Sequence, residues 1–581
     1  MTAFGEEETL YIDSEKFKMF DDRIEFYEYS EITKSDFFLK SDEFTILREN
    51  GEERTIIAEK GVYVEFETGQ ATSQTLDYDL KESKGTMTGD VEALIETSEG
   101  SKTKIFCDIL SINNEENKFE GEQQAEDGTV RIEKEDLTAR SRRFEFLGDQ
   151  DLLRLYGSVF IDDPENNRQI TGDAVTINLS DDSIEGQKVL IDNTGEEDQL
   201  QIESDDFKTL EDRTEFYAPS TVQKNNFLLR SPEFTIYKED GEDRTVRSEK
   251  RSYVEFETGR ATSSELDYDL KTEKGTLTGE VVAIIKPEEE ATPVEVTCDT
   301  LTIDSPSKRY AGEVETSEKV RLNRGELYAE SKAFVYDAQS DEIVLKREVY
   351  IDDLSNNQRV WGEEVTMDLE TDAFRGRNIR LARENEGEQE REKLQMSSSD
   401  FTSTEEKNEF RGPSEISRKD FRLVSDRFTI FKEDGKERTI QATEGVFIEF
   451  ESGKATGTEF DYDLETREGT LTKDVIAEID QEESTETIDV ECDKLVIQDE
   501  KGIFKGYSGE ENEVIIRKGN MTTRSNEFEY DKTSEELILT GDVFVEDPDN
   551  RRKIQGERLL LDLATDEIEG KNVQMTIITK E

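Results

Sequence analysis

The chain has 581 residues, with 143 acidic against 74 basic side chains, a formal charge of −69 and no histidine. Phosphate binding needs clustered Lys and Arg, so this charge balance argues against nucleic acid and anionic membrane surfaces as partners. Without histidine the usual general base near neutral pH is missing, which removes Ser-His-Asp and Cys-His chemistry.

Only 33% of residues are hydrophobic, a composition that leans toward disorder. Against that stand 31 Phe, 17 Tyr, only 8 Pro and an apolar period of two. The chain therefore reads as folded, with a thin apolar stripe under a very acidic surface. We read that charge as adaptation to a salty environment, since the screening length shrinks to about 3 Å near 1 M salt. No run of about 18 apolar residues is present, so no segment reads as a transmembrane helix.

The opening "MTAFGEEETLYIDSEKF" has neither a basic n-region nor an apolar h-region and does not read as a signal peptide. It implies either a cytoplasmic protein or a mature or truncated form with Met1 added. From residue 10 the phrase "LYIDSEKFKMFDDRIEFYE" begins a large unit that returns at 200–218 and 394–412. Within it, Val62, Val64 and Phe66 alternate with Tyr63 and Glu65, and Leu76, Tyr78 and Leu80 with Asp77 and Asp79. Each set places its apolar members on one face of a strand. The stretch 61–95 matches 251–285 at 24 of 35 positions, and a third copy follows at 455–475.

Cys107, Cys298 and Cys492 hold the same place in the three copies, in alternating strands. Metal-ligand spacing is absent, and each reads as a small packed apolar residue. "DDPENN" (162–167) and "EDPDN" (546–550) read as Asp/Asn/Pro turns between strands, and they fail the calcium-loop pattern. Sequence leaves glycosidase-type carboxylates open, because their separation is a three-dimensional property. The closings 170–186, 360–376 and 554–570 also align. They divide the chain into repeats 1–195, 196–389 and 390–581, with only 383–393 reading as a charged connection. No stretch sustains a 3.6-residue period, so the fold class is all-β, with short strands stacked so that neighbours bury each other's apolar face.

"LILTGDVFVEDPDNRRKIQGERLLLDLATDEIEGKNVQM" (537–575) resembles the OstA-like domain family: apolar–Thr–Gly–Asp/Asn–Val, an alternating strand, a polar turn, then I-x-G-x-x-L/V-x-L-D. "LYGSVFIDDPENNRQITGDAVTINLSDDSIEGQKVL" (155–190) carries the same cadence, and "GTMTGDVEALI" (85–95) and "GTLTGEVVAII" (275–285) share its core phrase. Such domains form the periplasmic bridge of lipopolysaccharide transport and the N-terminal part of its outer-membrane translocon. The resemblance implies an elongated β-jellyroll, or "taco", solenoid in three tandem repeats, whose open side holds acyl chains. Gly89, Gly157, Gly279 and Gly541 keep the glycine of the motif, while Arg347 and Lys473 replace it. That replacement predicts a bulge or turn without positive φ at those two sites.

The anchored member of the pathway would need a transmembrane helix, and the translocon several hundred further residues of barrel. The soluble, LptA-like bridge is what the resemblance leaves, in the periplasm, without catalysis or cofactor. The expected lipid groove is lined by Val62, Val64, Phe66, Leu76, Tyr78 and Leu80 in the first repeat. Val254, Phe256, Leu266, Tyr268 and Leu270 line it in the second, and Ile448, Phe450, Phe460, Tyr462 and Leu464 in the third. Terminal strands at 9–17, with Leu10 and Ile12, and at 573–579, with Met575 and Ile577, are expected to dock by strand addition to inner- and outer-membrane components or end to end. The rival readings are a closed β-solenoid structural or surface protein and a polysaccharide-active β-helix enzyme.

Overall fold

The computed structural model describes residues 9–578, apart from 35–36, 99, 126–127, 194–198, 240–241, 287–291, 316–317, 356, 384–393, 434–435, 482–486 and 510–511. Both expected repeat boundaries, near 195 and 389, lie outside the described residues, as does nearly all of the charged stretch 383–393. Among the described residues there are fifty strands, two single 3-10 turns at Gly148–Gln150 and Asp499–Lys501, and no α-helix. Among the described residues no helix is long and apolar enough to cross a membrane. The all-β reading of the alternation holds. Two compact units emerge, Met1–Ala283 with Thr302–Pro306, and Ile284–Leu301 with Ser307–Glu581.

In the first unit the chain is an antiparallel meander. Tyr11–Met19 pairs with Arg23–Lys34, which pairs with Phe37–Glu49. That strand pairs with both Glu52–Lys60 and Val62–Phe66, two halves of one bent run. They pair in turn with Thr75–Asp79 and Gly69–Ser73.

Ring contacts reveal what the meander does. Phe38 pairs with Glu65 at one end of the run, and Tyr78 pairs with Ile56 near the other. Nine residues of extended chain span about 30 Å. Yet the rings of Phe37 and Tyr78 stack with centroids 4.2 Å apart. The sheet is therefore folded over at mid-strand, so that its two halves face each other, as in a β-jellyroll. The second unit repeats this: Phe421 pairs with Phe450, Tyr462 pairs with Ile440, and the rings of Phe421 and Tyr462 are 4.9 Å apart.

The fold line has its own chemistry. Register shifts occur there, for example between Thr88 and Val91, where Gly89 and Asp90 have φ of 80° and 45°. Buried serines line it and take up polar groups freed by the bulges: Ser41 donates to the Lys60 carbonyl at 2.6 Å, and Ser204 and Ser220 are 2.7 Å apart. The expectation for Arg347 and Lys473 is corrected here. Both sit at the same bulge with φ of 64° and 67°. The backbone demands the left-handed region wherever the strand bends, and these two side chains tolerate it by standing in solvent, ion-paired to Glu313 and Glu459.

Candidate functional site

Because each strand is bent in the middle, its two end turns lie on opposite lips of the folded sheet. In the first unit one lip holds turns such as 79–84 and 178–184, and the other holds turns such as 66–69 and 134–137. The apolar stripe lies between the lips and the fold line.

The sequence-predicted groove residues lie on this inner face. Val62, Val64, Phe66, Leu76, Tyr78, Leu80, Val254, Phe256, Leu266, Tyr268, Leu270, Ile448, Phe450, Phe460 and Tyr462 are all 0–7% exposed. Leu464 alone is only half-buried. Aromatic rings join the halves directly: Phe66 meets Phe119 at 4.3 Å, and Phe227 meets Tyr268 at 4.0 Å. The interior is thus a filled apolar layer with the lips shut over it. Leu10 and Ile12 are half-buried at the first strand, whereas Met575 and Ile577 are exposed in the last, Gln574–Ile577.

What holds the lips shut was not anticipated from sequence. Lys34 Nζ donates across the seam to the Leu80 carbonyl at 2.8 Å. Lys134 does the same to Leu179 at 2.8 Å and pairs with Asp182. Lys224 reaches Leu270 at 2.7 Å. In the second unit Arg324 reaches Leu369 at 2.5 Å and Asp372 at 2.6 Å, and Lys518 reaches the Leu563 carbonyl. Each acceptor closes an x-Asp/Asn-Leu phrase, whose Asp or Asn oxygen caps the next turn, as Asp269 does for Lys271 and Thr272. The acceptor leucines are 1–6% exposed. The cations are similarly sheltered, with Lys134 at 6% and Lys518 at 13%.

Polar side chains bridge the lips elsewhere: Ser98 donates to Asp151 at 2.7 Å, Thr68 to Asn117 at 2.9 Å, and Arg383 pairs with Glu437. Among the described residues, every lip-to-lip hydrogen bond uses a side chain; backbone pairs stay within one lip, as Leu80 to Arg54 does. The signal was present in sequence as one basic residue just before a turn at 34, 134, 224, 324, 418 and 518.

At one of these six positions, 418, the clasp is not made. Arg418 donates instead to Asp420 at 2.8 Å, on its own lip. Leu464 keeps the usual backbone bond to the Arg438 carbonyl, but its side chain is only half-buried. Three residues beyond the leucine, where Asp182, Glu273, Asp372 and Asp566 stand in other copies, this copy has Arg467. Burial works against the Asp420 carboxylate, but Arg418 and, from further away, Arg467 hold it below the ordinary aspartate range. Nearby Asp499 is pushed up to about 6 by burial and by Glu451 and Asp420.

Two shallow concavities, of about 400 and 460 Å³, are lined by outer-face polar groups such as Arg375 and Glu409, or Lys84 and Glu120. Among the described residues no group of three or more Cys, Asp or Glu is placed to hold a metal ion. Cys107, Cys298 and Cys492 are buried and free, their thiols pushed up to about 12 by burial and an adjacent aspartate. The "DDPENN" and "EDPDN" carboxylates act as turn caps: Asp163 accepts from Asn166 and Arg168, and Asp547 from Asn550 and Arg552.

Residues 395–503 match the family described as LptA/(LptD N-terminal domain) LPS transport protein. Among solved structures, the chain is similar to the crystal structure of LptH, the LptA homologous periplasmic component of the conserved lipopolysaccharide transport device from Pseudomonas aeruginosa. That match has 13% identity and a TM-score of 0.14, covering 27% of this chain and 95% of that one. No curated protein matches the chain. The stretch 395–503 is a domain of the OstA-like family that includes LptA and the LptD N-terminal domain.

Proposed function

We propose that the protein is a component of lipopolysaccharide transport, a non-catalytic periplasmic bridge that carries lipopolysaccharide or a similar amphiphile between the halves of its folded sheet. The observation that carries this reading is the construction of the seam. Its lips are joined by side chains alone among the described residues, so they can part without breaking any strand pairing. Transferring about ten methylenes from water to an apolar interior is worth about 8 kcal/mol. A charge-assisted hydrogen bond is worth about 1.5–3 kcal/mol, so one acyl chain can outweigh two or three clasps. Near-equivalent rungs then give the lipid many similar positions rather than one deep well.

The division into repeats 1–195, 196–389 and 390–581 belongs to this reading, as does docking through the terminal strands. Tyr11–Met19 pairs on one side only among the described residues, and Tyr11, Phe17 and Met19 are 58–68% exposed. Such an edge suits strand addition to a neighbour in the machinery or to a second copy.

A second reading, the closed structural β-solenoid, is favoured by the shut interior. Photocrosslinking separates the two. With a crosslinker replacing buried Tyr78, lipopolysaccharide is captured; with one replacing exposed Asp77, it is not. Capture at neither position in a folded protein would leave the closed solenoid as the function.

A further inference from the structure

Building on the lipid-carrying reading, we infer that an acyl-chain amphiphile with an anionic headgroup enters and leaves the interior at the Arg418–Leu464 rung, with its headgroup taken up by Arg418 and Arg467. Three independent features coincide there. The lip-to-lip bond present at five equivalent rungs is replaced by the Arg418–Asp420 pair on a single lip. Leu464, the counterpart of five buried leucines, is only half-buried and so presents some apolar surface at the seam. The position that supplies a carboxylate to the clasping cation at the Lys134, Arg324 and Lys518 rungs is Arg467 here, so a cation faces a cation across the seam instead of a carboxylate.

The same substitution makes the rung a receptor for negative charge on a chain whose net charge is −69. Arg418 and Arg467 occupy the two positions whose side chains meet at 2.6 Å in the Arg324–Asp372 rung, so one headgroup can reach both. Their present partners, Asp420 and Glu500, are surface-accessible carboxylates at 2.8 Å that a phosphate-bearing headgroup can displace. Behind them stand the rings of Phe421 and Tyr462, the first apolar contacts an incoming chain would meet.

The test uses the full chain and fluorescent lipopolysaccharide, following uptake rate and equilibrium binding separately. Arg467→Asp restores the carboxylate found at four of the five clasped rungs, at a φ of 53° that aspartate accepts readily. It is expected to slow uptake about tenfold, the factor for breaking one added charge-assisted bond. Asp372→Arg, which imposes the like-charge arrangement on the Arg324 rung, is expected to speed uptake. Unchanged uptake in both variants, with lipid still captured at Tyr78, would overturn this inference and leave the transport reading intact. Absence of lipid binding in the unmodified chain would overturn both.

Discussion

The ring of Phe227 lies 4.0 Å from that of Tyr268 and within 8° of parallel, although the two residues sit at opposite ends of the meander's strands. This contact and its counterparts, Phe37–Tyr78 and Phe421–Tyr462, hold the two halves of the sheet together just inside the lips. Gly275 makes room for it: a Cβ there would come 2.4 Å from Tyr268 Cδ2. Tyr268→Ala is expected to cost about 3–5 kcal/mol through the cavity it leaves. Gly275→Ala should also destabilise by forcing the ring aside. Urea unfolding followed by tyrosine fluorescence measures both, and no shift in midpoint for either would disprove the inter-half packing role.

The clasps make a contrasting pair. Lys134→Met removes the donor to the Leu179 carbonyl in a sheltered site and is expected to cost about 1.5–3 kcal/mol. Arg418→Met removes only a same-lip pair and should cost less than about 1 kcal/mol. Equal losses in chemical denaturation would mean that the cross-lip bond contributes nothing special.

Arg347 and Lys473 hold left-handed backbone where equivalent positions use glycine. Changing either to glycine should raise stability by about 1 kcal/mol, since a left-handed non-glycine residue costs about that much. The ion pairs given up, to Glu313 and Glu459, are exposed and contribute little. Thermal midpoints that fall instead of rising would locate the dominant interaction in those side chains.

Asp499, raised to about 6, gives the second unit a pH dependence. Its native state favours the neutral acid more than the unfolded chain does. The associated stability is therefore fully present below the ordinary aspartate range and is lost as pH rises through about 6. One of its oxygens is buried without a hydrogen-bond partner, which is why ionisation is disfavoured there. Asp499→Asn should remove the dependence between about pH 4 and 6 and add about 1–2 kcal/mol at pH 7, after discounting for partial exposure. Denaturant midpoints of both proteins across that window decide it.

The strands and their inward faces were legible because alternation is local: Val62, Val64 and Phe66 announce their side of the sheet without knowledge of any partner. The fold-over was not. Inward positions keep the same phase through the bend, as Ile56, Ala58, Val62 and Val64 do, so the stripe gives no sign of where the strand turns. The bulge conformations at Arg347 and Lys473 were misread for a related reason, since tertiary bending overrode the residues' own preference. The clasps escaped notice because a basic residue beside a turn looks like any solvated charge, and its acceptor is a backbone carbonyl 45 or 46 residues away.

A meander in which each strand pairs with its neighbours in the chain has a consequence for assembly. Among the described residues of either unit no strand waits for a remote partner, so the contacts that form first are close in sequence and cheap in loop-closure entropy. Hairpins of this kind close within about 1–10 μs. Any of them can serve as a nucleus on which the next strand adds, and growth proceeds outward as a zipper does.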